Sequence, residues 1–329
     1  MQYFCTLFNS GYLSRGLAMY ESLVFSARDS HLFIVAFDEP CFKTLQNLFL
    51  ANATIISLES FEREELLAVK DDRTTGEYCW TCTSWVIWYC IQTYALDHCT
   101  YLDADLLFFA DPKVLTDEMG DNSVLITEHR YSARYDQSAL CGIYCVQFMT
   151  FRNTPAGLTV LDWWRKACVD WCYSRIEDGK FGDQKYLDDW PERFEGVHVL
   201  KNIGGGVAPW NNREYRFEKA GDGVRVKQLH QSQRLVFYHF HDFRYCTGDT
   251  FRLTSEWYAI KKQVVDLVYR PYVKALETAE KKILQTGPSV TFHEPLYPLD
   301  WLSEKLGRKL AFRLKGYYKN YYRRKKISQ

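Results

Sequence analysis

The residues best suited to chemistry are two aspartates in the run Cys99-Thr-Tyr-Leu-Asp103-Ala-Asp105-Leu-Leu-Phe-Phe109. An apolar stretch of strand character ends on Asp103-Ala-Asp105, and apolar sequence resumes directly after it. Two carboxylates two positions apart beyond a strand end can approach one hard divalent cation, Mn²⁺ or Mg²⁺, which would tie them to a diphosphate. Burying both without a partner would cost several kcal/mol. An isolated D-x-D is more often a polar turn closing a strand, so its surroundings must decide.

Those surroundings alternate short apolar runs with helical patterns. Strands are expected near residues 3–8, 31–37, 54–58, 100–102 and 124–127, with helices near 14–25, 42–50 and 80–96. Such alternation means a mostly parallel sheet with helices on both faces, and ligands then sit at the carboxyl ends of the strands. The second half is less regular. Strands are expected at 141–151 and 235–241, a helix at 158–171, and a long helix at 255–284 with a break at Arg270-Pro271. One domain over 1–286 and an extension over 287–329 is the simplest division.

Other candidates are weaker. Gly204-Gly-Gly-Val-Ala-Pro-Trp210 lacks the G-K-S/T of a phosphate loop. It is either a flexible surface loop or a close approach to a ligand, with Trp210 able to stack on a sugar. Cys79 and Cys82 would need a second pair, such as Cys141 and Cys145, to hold zinc, and buried thiols are the better reading. His98, His129, His198, His230 and His293 lack supporting context, and Asp188-Asp189 reads as a solvated turn. Eleven scattered cysteines with no export signal read as reduced thiols in the cytoplasm.

Five segments, in order, resemble those of GT-A glycosyltransferases, and in pattern the retaining family 8 nucleotide-sugar transferases. Thr6-Leu-Phe-Asn9-Ser-Gly-Tyr12 before a helix resembles the first-strand loop that holds the nucleoside. Val35-Ala-Phe-Asp38 resembles the second strand, which ends in an acid, and Tyr101-Leu-Asp103-Ala-Asp105 matches the family's Y-L-D-x-D. Gly182-Asp183-Gln184-Lys-Tyr-Leu187 resembles D-Q-x-x-L beside the reacting sugar. Val236-Phe-Tyr-His239-Phe-His241 resembles the late strand whose histidine completes the metal site. The resemblance covers residues 3–245.

It implies an α/β GT-A fold and a metal on Asp103, Asp105 and one of His239 or His241, with His239 aligning better. It also implies a nucleotide-sugar donor, usually UDP-linked, with Thr6, Asn9, Tyr12 and Asp38 on the nucleoside. Asp183 and Gln184 would lie beside the anomeric carbon, and the sugar would pass with retention to a glycan or lipid-linked acceptor. Two departures stand out. The family's H-x-x-G-x-x-K-P-W is absent, leaving Arg244 as a replacement for its diphosphate lysine, and residues 77–98 contain no Lys or Arg. The blocks 77–84, 180–190 and 204–210 also resemble uncharacterised transferases of bacterial surface-polysaccharide clusters. A haloacid-dehalogenase-type phosphohydrolase would want its D-x-D on the first strand and a Thr or Val where Leu107 stands. A non-catalytic glycan-binding protein would not need the acids.

Charge divides the chain. Its 41 basic and 41 acidic residues cancel overall, but residues 304–329 hold ten bases and one acid, leaving the remainder at −9. Helical periodicity over 298–322 places Leu302, Leu306, Leu310, Leu314, Tyr317, Tyr318 and Tyr321 on one face, with Lys and Arg opposite. A helix of that kind can lie in the headgroup plane of an anionic membrane, which implies a peripheral enzyme on the inner face of the plasma membrane. No nucleic-acid module precedes it, so nucleic acid is not the expected partner.

Overall fold

The computed structural model describes residues 1–287, 289–302 and 305–329. Eight strands come first: β1 Gln2–Phe8, β2 Ser30–Ala36, β3 Ala53–Ser57, β4 His98–Leu102, β5 Leu106–Phe108, β6 Val124–Glu128, β7 Tyr144–Arg152 and β8 Val197–Val199. Seven of them form the central sheet in the order β3-β2-β1-β4-β7-β6-β8. Only β7 runs against its neighbours. This is the mostly parallel α/β sheet expected from the alternation of elements.

Because both faces of a parallel sheet are covered, its strands read as nearly unbroken apolar runs, and side chains alternate between two cores. Phe4 and Phe8 of β1 join one core, which includes the helices Leu13–Ser26 and Arg270–Thr286. Cys5 and Leu7 join the other, with the helices Thr75–Thr93 and Pro155–Asp170. The helix Thr75–Thr93 is apolar nearly all round, as a buried helix must be. Its start is set by a capping box of Thr74 and Glu77.

The second half departs more from expectation. An antiparallel meander, β9 Arg216–Ala220, β10 Gly223–Gln228 and β11 Gln231–Arg234, occupies a stretch whose many charges hid its period-two pattern. The strand expected over 235–241 is the short β12 Phe237–His239, paired with β5. The helix expected over 255–284 starts only at Lys262. Residues ahead of it are held in turns by Asn320, whose side-chain amide donates to the carbonyls of Ser255 and Tyr258. The break at Arg270-Pro271 is a single π-helical turn, Val265–Tyr269, after which Pro271 sits where its missing N–H costs little.

The tail corrects the sequence reading most. The helix expected over 298–322 is only Leu306–Leu314, and residues 303–304 lie outside the described residues. It stops because Gly316 adopts the left-handed conformation, φ +76°, that ends helices. The chain then returns to the body. In the sheet of β13 Arg244–Cys246, β14 Thr250–Arg252 and β15 Tyr321–Arg323, the last strand pairs antiparallel with β14. Arg324 donates to Glu280 at 2.7 Å, and Ile327 is fully buried. Tyr321 therefore belongs to a sheet and not to a lipid-facing stripe. Leu306, Leu310 and Leu314 remain 84%, 60% and 81% exposed. No helix among the described residues is long and apolar enough to cross a membrane.

Candidate active site

β4 ends at Leu102, and Asp103-Ala-Asp105 turns the chain from the central sheet into β5. The turn is fixed from both sides: Asp103 N–H donates to the Gln147 carbonyl of β7, and the Asp105 carbonyl accepts from Phe240 N–H. Register does the rest. β12 pairs His239 opposite Leu106, one residue beyond Asp105. His239 Nε2 lies 3.1 Å from Asp105 Oδ1 and 3.8 Å from Asp103 Oδ2. The three side chains can offer ligand atoms that all lie within 4.8 Å of one another. His241 lies close by, 5.8 Å from His239 between ring centroids, and lines the same cavity without joining that group.

The donor set suits a divalent cation. Gln147 Oε1 accepts from His239 Nδ1 at 3.0 Å, which assigns the proton to Nδ1 and turns Nε2 toward the carboxylates. Burial opposes a charge on His239, but Asp105 and Asp103 outweigh it and raise its pKa well above the usual value. Burial pushes the Asp103 carboxyl up, with His239 opposing and Asp105 reinforcing the rise, while His239 draws Asp105 down against its own burial. A site that retains a proton to balance two carboxylates is one that a cation can fill instead.

The cavity holds about 760 Å³. Asn9, Tyr12, Asp183, Gln184 and Arg244 line it together with Asp103, Asp105, His239 and His241, so most residues expected at the site converge there. Asp183 is almost fully buried, its Oδ2 has no partner, and burial plus the Asp103 charge raise its pKa to about 7. Its backbone is held by Trp164 Nε1, which donates to the Asp183 carbonyl at 2.9 Å. Gln184 donates to the Cys141 carbonyl at 2.7 Å. Arg244 is tied to Asp242 and to Glu294, at 3.0 and 3.5 Å.

Two expected residues stand back from the lining. Thr6 is fully buried within β1 between Phe4 and Phe8, its hydroxyl unpartnered. Asp38 caps the helix Glu39–Asn47 and accepts from the Ser10 N–H and hydroxyl at 3.0 and 2.8 Å, so it shapes the loop that presents Asn9 and Tyr12.

The glycine-rich loop is not a surface loop. Residues 203–212 are all buried, and a Cβ on Gly204 would stand 2.0 Å from the Arg234 carbonyl oxygen. Its glycines let backbone pack beside β12. Trp210 lines the cavity but meets His239 and His241 edge-on at 5.3 and 5.4 Å, so it positions the histidines and is 4% exposed. Cys79, Cys141 and Cys145 all line the cavity, but they form no metal-holding group with one another or with Cys82 among the described residues. The three thiols that do approach one another, Cys5, Cys90 and Cys99, are fully buried in the core.

Several further residues at the cavity have no site role in the sequence reading. His129 lines the cavity, stacked on Tyr131 at 4.6 Å. Arg15, a lone base on an apolar helix, is buried 4.5 Å over the Tyr12 ring and bound by both oxygens of Glu294. Trp80 and Thr83 form a cavity wall. The isolated charge of Arg15 was the one signal legible beforehand.

No family profile matches the chain. Uncharacterized protein YfnD of Bacillus subtilis (strain 168) is 29% identical over 282 residues, covering 84% of this chain and 88% of that protein. Uncharacterized protein YfnF of the same strain is 32% identical over 249 residues, covering 73% and 81%. Among solved structures, the apo form of the WbbM bifunctional glycosyltransferase superposes over 88% of this chain with a TM-score of 0.51 at 12% identity. This chain spans about half of WbbM's length, 52%. That likeness concerns the fold, a large mostly parallel sheet flanked by helices in the GT-A arrangement. By its identity to YfnF over most of that protein's length, the chain belongs to the YfnF family.

Proposed function

We propose that this chain is a metal-dependent glycosyltransferase that moves a sugar from a nucleotide-sugar donor, UDP-linked by the resemblance, to a glycan or lipid-linked acceptor in surface-polysaccharide synthesis. The observation that carries the reading is the convergence of Asp103, Asp105 and His239 on one point of a large cavity at the carboxyl end of β4. Those three residues would hold Mn²⁺ or Mg²⁺, which supplies charge stabilisation to a departing diphosphate. Asn9 and Tyr12 would orient the nucleoside from the loop that Asp38 braces, and Arg244 would meet the diphosphate. Asp183 and Gln184 would lie beside the anomeric carbon.

In a retaining transfer the bond from C1 to the phosphate oxygen breaks and the acceptor oxygen bonds to C1 on the same face. The acceptor's proton passes to the departing phosphate. Asp183, buried and with an unpartnered oxygen beside the expected sugar position, is the candidate nucleophile for a covalent alternative. Residues 1–286 are read as the catalytic body. Residues 287–329 carry the exposed Leu306, Leu310 and Leu314 beside Arg308, Lys309 and Arg313, suited to an anionic membrane on its cytoplasmic side.

The test is metal-dependent release of UDP from UDP-sugars, with and without lipid extract. Turnover should require Mn²⁺ or Mg²⁺ and fall at least ~1000-fold in Asp103→Ala. Wild-type turnover by that variant, with metal present, would end the assignment.

A further inference from the structure

We infer that the transferred sugar is uncharged, and that Trp80 is the residue that selects it; this rests on the nucleotide-sugar reading above. One wall of the cavity is a single face of the helix Thr75–Thr93, from which Thr75, Gly76, Cys79, Trp80 and Thr83 line the space. That helix has no Lys or Arg along its length. Four carboxylates, Asp103, Asp105, Asp183 and Asp242, also line the cavity.

The one permanent cation among the described lining residues is Arg244, and it is already committed to Asp242 and Glu294. It belongs to the Tyr12 side, because Glu294 also grips Arg15 over the Tyr12 ring. A carboxylate or phosphate on the sugar would therefore leave water near Asp183 with no cationic side chain to receive it.

Trp80 offers the opposite environment. Its half-buried indole packs on Phe181 at 6.2 Å between centroids. It also lies flush against Gly182, where a Cβ would stand 3.3 Å from Trp80 Cε3. Gly182 directly precedes Asp183 and holds φ +53°, a conformation suited to glycine. The ring is thus fixed one residue from the acid expected at the anomeric carbon. An apolar sugar face can lie on it, with neutral hydroxyls left to Thr83 and Gln184.

Isothermal titration calorimetry on the full chain with Mn²⁺ tests this, using UDP, UDP-glucose and UDP-galactose against UDP-glucuronate and UDP-galacturonate. The neutral donors should bind at least ~10-fold more tightly than the uronates, about 1.4 kcal/mol. Trp80→Ala should weaken the neutral donors about 10-fold and leave UDP unchanged, while Trp80→Phe retains most of the affinity. Unchanged UDP binding also reports that the variant is folded. Gly76→Lys, at a position where a Cβ meets nothing within 4 Å, should narrow the preference by supplying the missing cation. UDP binding with uronates as tight as neutral donors would overturn this inference alone. No UDP binding in the presence of Mn²⁺ would remove the UDP-sugar reading on which it rests.

Discussion

The acids of the cavity and the bases of the C-terminal segment are the two ends of the chain's charge asymmetry, and they are held in different ways. In the cavity, Asp103 and Asp105 come from the turn between β4 and β5 and His239 from β12, and backbone pairing brings their ligand atoms to within 4.8 Å of one another. Each is screened from water, so each alters its neighbours' protonation. On the helix Leu306–Leu314, Arg308, Lys309 and Arg313 lie in solvent around an exposed leucine stripe. Charges of that kind act as a sum, weakened by salt, and no single one matters greatly. The site should therefore fail by single residues and the tail by degrees.

The largest effect should come from His239. His239→Ala is expected to lower Mn²⁺ affinity at least ~100-fold, read as loss of the Mn²⁺-induced rise in melting temperature, whereas His241→Ala should keep most of that rise. The reverse order would move the metal site to the outer histidine.

A smaller effect concerns Asp183. An acid raised from 3.8 to about 7 stabilises the fold only while protonated. Its contribution is complete below pH 4 and is lost as pH rises through 7, where the unfolded chain keeps the carboxylate in water. Without metal, Asp183→Asn should therefore stabilise the protein at pH 8, by on the order of 2–4 kcal/mol, and have little effect below pH 4. Calorimetric melting at the two pH values checks this, and equal effects at both would mean that Asp183 is not desolvated as its burial implies.

The smallest effect belongs to the tail. Replacing Leu306, Leu310 and Leu314 together with Ser should reduce co-sedimentation with anionic vesicles several-fold and leave soluble turnover intact. The remaining binding should fall further at high salt. Substitution is preferable to truncation, because deleting the tail would also remove β15 and the buried Ile327. Undiminished binding would mean that the stripe faces something other than lipid.

Much of the site was readable in advance because its residues fall at strand ends, and an apolar run that stops at Asp103-Ala-Asp105 announces itself in one dimension. Asn9, Tyr12, Asp183, Gln184 and Arg244 came from ordered resemblance, and each lines the cavity. Trp80, His129 and Gln147 were not legible. Gln147 sits in the middle of an apolar strand and gains its role only because β12 brings His239 against it. The glycine loop is buried and not the flexible surface loop that its composition allowed, because flexibility and close packing require the same residue type. The tail helix was overextended because its leucine periodicity continues past Gly316, and the pairing of Tyr321–Arg323 with β14 leaves no mark on local pattern.

Local sequence by itself determined the alternation of strands and helices, the acids at the end of β4, and the division of charge between body and tail. Those features depend on neighbours within a few residues, where periodicity and propensity act. Tertiary structure alone decided which histidine meets Asp105, that Asp38 braces a loop and does not line the cavity, and that Trp210 meets the histidines edge-on while Trp80 packs on Phe181 and Gly182. Each of those outcomes depends on strand register or on packing between elements distant in sequence. There a shift of one residue would turn a side chain from the cavity into the core.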